Sequence, residues 1–186
     1  MSLVPELTTT AIAEVLRIRP QLIEDERGFF FESWNARTFA KSGLEIQFVQ
    51  DNHSRSTAGC LRGLHYQIEK PQGKLVRATL GEVFDVAVDL RRSSPTFGKW
   101  VGVTLSAANH EMLWVPPGFA HGFYVLSDRA EVLYKCTDFY SPAAERTLIW
   151  NDPDLAIDWP LSAGHDPKIS PKDAAGALLH DAECFP

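Results

Sequence analysis

The chain has 186 residues, 45% of them hydrophobic and 23% charged, with a formal net charge of −6. These values fit a single globular domain over residues 1–186 and exclude a disordered or fibrous chain. The acidic balance argues against a nucleic-acid binder working by general basic attraction.

No apolar run approaches the roughly 18 residues of a membrane span, and the first residues lack a basic stretch followed by a hydrophobic core and a cleavage site. A soluble, cytoplasmic protein with no nucleic-acid or membrane partner is expected. Cys60, Cys136 and Cys184 lie far apart with no Cys-x-x-Cys spacing, which reads as reduced thiols without catalytic or disulfide roles.

Taken in order, Ala11 to Ile18 mixes Ile12, Val15, Leu16 and Ile18 with polar residues and predicts a strand, with a helix as the alternative. Asp25 to Gly28 predict a turn, after which Phe29, Phe30 and Phe31 continue as an aromatic strand. Asn35 then stands as N-cap of a short helix in ARTFAKSG, with Gly43 as its stop. From Ile46 onward a period of two is broken at short intervals by Gly, Pro, Asn or Asp, as in antiparallel sandwiches and barrels. The predicted strands are Gln47–Gln50, Leu61–Gln67, Lys74–Leu80, Glu82–Asp89, Trp100–Ser106, Glu111–Val115, His121–Leu126 and Ala130–Tyr140. So many strands with so few helices predict an all-β jelly roll. Near the C-terminus, Ser170 as N-cap, Pro171 as first helical residue and Asp173 at N3 predict one more short helix.

The stretch from Gln50 to Gly81 sets His53, Arg62, His65, Lys74 and Arg77 among Gly, Asn and Gln residues in an otherwise strand-like sequence. A local set of cations in an acidic protein points to an anionic small molecule. The spacing of Gly59 and His65, and the run Pro116 to His121, resemble the two motifs of metal-binding cupins, small jelly rolls with the site inside the barrel. The second histidine of that pattern is here Gln67, however, and Lys74 stands where its acidic ligand belongs. A cation in a ligand position repels a metal ion, so the resemblance implies the barrel without the metal.

The altered set offers a histidine base, a lysine, an arginine and a second histidine on neighbouring strands. His65 and Gln67 share a strand face, as do Lys74, Val76 and Ala78. Tyr134 shares parity with Val132 and Cys136 and is expected to face inward. A neutral His that accepts a proton and a Tyr that donates one suit removal of a proton beside a carbonyl and its return on the other face. Lys74 or Arg62 would stabilise the enolate oxygen.

Eight runs in order, DERGFFFES, FVQDNHS, LRGLHYQ, QGKLVR, GEVFDVAVDLRRSSPTFGKWVG, VPPGFAHGF, LYKCTDFYSP and WNDPDLAIDWP, closely resemble the dTDP-4-dehydrorhamnose 3,5-epimerase family. The resemblance implies a cupin-type jelly roll that uses no cofactor and no metal. It would act on a dTDP-4-keto-6-deoxy sugar as a homodimer, in dTDP-L-rhamnose synthesis. Residue by residue, it implies His65 as general base, Asp173 as its carboxylate partner, Tyr134 as general acid, and Lys74 near the keto oxygen. Arg62 and His121 would lie beside the sugar or pyrophosphate. Arg27, Glu32, Gln50, Asp51, Asn52, Glu145 and Lys172 match nucleotide-holding positions, some reached across the dimer interface, and Tyr140 matches the side chain that stacks on thymine. Against the family pattern, the loop after Gln67 is short and the segment Ser162 to Lys168 is long.

Each residue also has a plainer reading. Lys74 fits a strand-edge lysine, Tyr134 a core aromatic, and Asp173 an ordinary helix-capping residue. His110, His165 and His180 read as solvated, His53 as an orienting residue, and Asp85 as the counter-charge of a buried cation. Two other functions stay open: a relative that inverts one carbon or moves the keto group, and a non-enzymatic or metal-dependent cupin.

Overall fold

The structure, a computed structural model, describes residues 3–162 and 165–186, so Ala163 and Gly164 of the long segment before the last helix lie outside the described residues. One antiparallel sheet has six strands in the order β1 (Glu6–Thr9), β2 (Leu16–Arg19), β10 (Met112–Val115), β7 (Lys74–Leu80), β12 (Arg129–Cys136) and β5 (Gln50–Thr57). The other has five, in the order β13 (Glu145–Thr147), β6 (Leu61–Gln67), β11 (Phe119–Val125), β8 (Glu82–Asp89) and β9 (Trp100–Ser106). A separate hairpin, β3 (Ile23–Asp25) with β4 (Gly28–Phe30), precedes α1 (Ala36–Lys41), and α2 (Pro171–Ala174) closes the chain. This is the expected jelly roll.

Alternation along the strands sorts the apolar residues into three layers. Val76, Leu113 and Val132 from the six-stranded sheet meet Val83, Ala87, Val103 and Phe123 from the other, forming the core between them. Residues of opposite parity face outward. Leu64, Val86 and Tyr124 lie under Leu148, Leu155 and Trp159 of the C-terminal segment, while Leu75, Met112 and Trp114 lie under Phe39 of α1. Each fully buried aliphatic side chain contributes about 1.5–3 kcal/mol, so the sandwich is a rigid frame whatever its polar end does.

Four predicted strands, β6 to β9, have the expected bounds. Other expectations need correction. Ala11 to Ile18 is not one strand: Val15 N donates to Ile12 O at 3.0 Å in a turn, and the strand begins at Leu16. Ile12 and Val15 are three apart and both buried, which a strand cannot arrange on one face. The predicted Gln47–Gln50 strand meets the real one, Gln50–Thr57, only at Gln50, because the sequence QDNHSRST has no apolar alternation to reveal it. Similarly, the strand predicted to reach Tyr140 ends at Cys136. Asn35 does cap α1, its side chain accepting from Arg37 N.

Candidate active site

Arg62 and His65 are three residues apart, so a regular β6 would aim them at opposite faces. A register shift against His121 and Phe123 puts one extra residue into β6, and the bulge returns both side chains to the inner side. Gly63 occupies the bulge at φ +119, where a Cβ would come within 2.6 Å of Gly122 Cα. Only glycine meets both conditions.

His65 Nε2 lies 2.6 Å from Asp173 Oδ1. Asp173 is 3% exposed; its Oδ2 accepts from Gly63 N at 3.4 Å, and its own N–H donates to Ser170 Oγ at 3.1 Å. Burial pushes the Asp173 carboxyl up, but the hydrogen bond and charge of His65, with the bonds from Gly63 and Ser170, outweigh it and hold the group below the usual range. An ionised partner at Nε2 fixes the proton there and leaves Nδ1 as the basic nitrogen. Capping and pairing with His65 are thus both true of Asp173.

The facing wall comes from the six-stranded sheet. Lys74 pairs with Cys136 in register, and Tyr134 pairs with Val76 on one side and Asn52 on the other. Lys74 is 8% exposed and donates to His65 O at 3.4 Å. Burial lowers its ammonium pKa, against the opposing pull of Cys136, Asp85 and Glu145. Burial likewise raises the Tyr134 phenol, which keeps its proton. The Asn52 amide donates to Cys136 Sγ at 3.5 Å and accepts from Gln50 at 3.0 Å.

Two adjoining lobes, of about 270 and 230 Å³, both touch His65, Lys74, Tyr134, Tyr140 and Glu145. Gln50 and Asn52 line the first; Arg62, His121 and Lys172 line the second. At the mouth, Tyr140 is half exposed and its hydroxyl donates to Glu145 Oε2 at 2.9 Å, while Lys172 Nζ donates to Glu145 Oε1 at 2.7 Å. Burial raises the Glu145 carboxyl, but these two donors bring it below its usual range.

Asp85 has a buried partner: both its oxygens lie within 3.0 Å of His121 Nε2. His121 faces His65 across the β11–β6 pairing. His53 points away from the cavity and meets Glu131 at 2.9 Å. His110 is not simply solvated, because its ring lies 4.5 Å from that of Phe29 and 5.5 Å from that of Phe31. His180 is exposed beside Asp154 and Asp181, and His165 is exposed.

Three predicted binding residues stand apart from this cavity. Asp51 has the opposite parity to Gln50 and Asn52 and pairs with Lys135 at 2.9 Å on the outer face. Glu32 accepts from Asn35 at 2.7 Å, bracing the start of α1. Arg27 is exposed and ion-paired with Asp25 in the β3–β4 hairpin.

Gln67 and Gln72 line the cavity and were not among the predicted site residues. Gln67 is 4% exposed and bonds the backbone at Lys70, Phe139 and Ser141. Its place two residues after His65 was the available signal. Among the described residues no group of three His, Cys, Asp or Glu side chains is arranged to hold a metal ion.

A family model described as dTDP-4-dehydrorhamnose 3,5-epimerase matches residues 9–181. A relative of that name from Pseudomonas aeruginosa is 61% identical over 180 residues, covering 96% of this chain and 98% of its own. The crystal structure of a Legionella pneumophila dTDP-6-deoxy-D-glucose-3,5-epimerase in complex with dTDP-4-keto-L-rhamnose superposes with a TM-score of 0.92 at 53% identity, covering 96% of this chain and 95% of that one. A 3'-monoepimerase from Streptomyces bikiniensis, solved with dTDP-quinovose, has a TM-score of 0.85 at 32% identity, covering 92% and 87%.

Proposed function

The chain belongs to the dTDP-4-dehydrorhamnose 3,5-epimerase family, and we propose that it converts dTDP-4-dehydro-6-deoxy-D-glucose to dTDP-4-dehydro-L-rhamnose by proton transfer at carbons 3 and 5. It is an isomerase acting on a nucleotide sugar. The observation that carries the mechanism is the His65–Asp173 pair at 2.6 Å, on the wall opposite Tyr134 and Lys74.

Both carbons are α to the 4-keto group. His65 Nδ1 takes the proton from one face, the electron pair moves onto the keto oxygen, and Lys74 stabilises the enolate beside it. Tyr134, whose burial keeps it protonated, returns a proton from the other face. Base and acid stand on different sheets, which is what inversion requires. Once His65 has released its proton to solvent and Tyr134 has regained one, sugar ring turnover lets the same groups serve the second carbon.

Arg62 and Lys172 supply positive charge for the pyrophosphate with His121 beside the sugar, Gln50, Asn52 and Glu145 hold the nucleotide, and the exposed ring of Tyr140 stacks on thymine. Nucleotide binding energy then orients the sugar. Arg27, Glu32 and Asp51 act across a homodimer interface, which accounts for their distance from this chain's own cavity. The hairpin beside them exposes Ile23, Phe29 and Phe30. In this reading residues 1–186 form one domain, which carries the base, the acid and the lysine in a single cavity. Among the described residues no helix is long and apolar enough to cross a membrane, in keeping with a cytoplasmic enzyme.

Proton NMR of the chelator-treated protein with this substrate in deuterium oxide tests the reading. Deuterium at both carbons, lost in His65→Ala, is expected. Incorporation at carbon 3 alone would place the chain with the 3'-monoepimerase, whose fold it shares, and no incorporation would end the enzymatic reading.

A further inference from the structure

Gln67 stands where a metal-binding cupin would carry a second histidine, and its amide is fully engaged elsewhere. Its Nε2 donates to Lys70 O at 3.0 Å and to Phe139 O at 3.2 Å, while its Oε1 accepts from Ser141 N at 2.8 Å. The last two bonds grip the backbone on either side of Tyr140. Two further side chains hold the same segment: Gln72 Nε2 donates to Asp138 O at 2.8 Å, and Gln50 Oε1 accepts from Tyr140 N at 2.9 Å. Of the three, only Gln67 holds both flanks of Tyr140 and shares a strand face with His65.

The burial pattern explains why such a clamp is needed. β12 ends at Cys136 and Thr137 N still donates to Gly73 O at 3.0 Å, but residues 138–141 have no ladder to fix them, and Phe139 is 63% and Tyr140 50% exposed. An exposed ring on an unpaired segment loses orientation unless its backbone is tied down, and ordering it at the moment of binding costs affinity. Tying it to the strand that carries the base fixes the nucleotide platform relative to the reacting centre.

We propose that Gln67 is a positioning residue that orients Tyr140 toward the nucleotide and thereby sets KM, with no part in proton transfer. This rests on the reading of Tyr140 as the thymine-stacking side chain. Replacing Gln67 by methionine keeps length and approximate volume but removes all three hydrogen bonds.

The test is a double-mutant cycle of Gln67→Met and Tyr140→Ala, with kcat and KM measured for dTDP-4-dehydro-6-deoxy-D-glucose and Kd measured for dTDP alone. Gln67→Met is expected to raise KM and Kd about tenfold, with kcat changed by less than about threefold. In the Tyr140→Ala background the same substitution is expected to change KM by less than about twofold. A Gln67→Met loss carried by kcat, or one that multiplies fully with that of Tyr140→Ala, would overturn the inference while leaving the role of Tyr140 intact. Unchanged KM and Kd in Tyr140→Ala alone would overturn both. If Gln67→Met folds poorly, Gln67→Asn, whose amide is one methylene too short to reach both flanks, takes its place with the same expected and overturning outcomes.

Discussion

Along β7 the inward-facing residues run Lys74, Val76, Ala78, and along β12 they run Cys136, Tyr134, Val132, Ala130. At one end of both strands Lys74 and Tyr134 line a polar cavity; two residues further on, Val76 and Val132 belong to the dry core. On β11 the border falls at Phe123, which lines the cavity beside His121 and also packs into the dry core. Reactive and supportive halves of the barrel thus share strands, parity and hydrogen-bond ladders, differing only in side chain. The lesson is one of division: the apolar half pays for holding Lys74, Asp85 and Asp173 in burial, where charges act over short distances with little screening.

That contrast can be broken from either end. The largest effect is expected for His65→Ala, which should lower turnover by about a thousandfold or more while leaving the melting temperature near that of wild type; an equally active variant would remove the base from the mechanism. In the dry half, Leu113→Ala should do the opposite, costing about 2–5 kcal/mol in denaturant unfolding with turnover per folded molecule unchanged. Loss of activity in fully folded Leu113→Ala would show that the two halves are not separable. Asp173→Asn sits between them, with an expected fall in kcat of roughly a hundredfold, since the amide no longer favours the right tautomer or the charged imidazole. Its melting curve should move far less than its rate.

The smallest effect concerns Asp89, outside the cavity lining. Burial pushes its carboxyl up, but Arg91, Ser94 and Thr96 outweigh burial and lower it from 3.8 to about 2. A depressed folded-state value stabilises the protein above the unfolded value and loses that contribution as pH falls through the folded one. Wild type should therefore lose on the order of 2 kcal/mol between about pH 4 and pH 2 from this group, a slope that Asp89→Asn should lack in acid-denaturation curves. An unchanged slope would show that the Arg91 cluster is not the acid-sensitive element.

Most of the frame was legible because buried strands announce themselves by alternation: β6 through β9 could be bounded to the residue. The missed strands were polar. β5 carries Gln50, Asn52, Ser54 and Ser56 on its inner face, and an inner face that lines a cavity has no hydrophobic period. The failure to see β5 and the presence of a site there have one cause. Residue placement followed parity as far as parity holds, and the bulge at Gly63 is where it stops, since nothing local states that β6 takes one extra residue. The Asp85–His121 pair was half visible, as a charge in an apolar strand needing a partner. Gln67 was visible only as a missing ligand, because its backbone partners lie on loops whose paths no periodicity describes. Asp51 shows the reverse limit: its neighbours enter the cavity, and it points the other way.

His65 and Asp173 are 108 residues apart in the chain. Every strand of both sheets is complete by Thr147, so the strand-borne walls of the pocket all precede in the chain the carboxylate that meets His65. A chain cut between Thr147 and Ser170 would keep every strand and lack the partner of its own histidine.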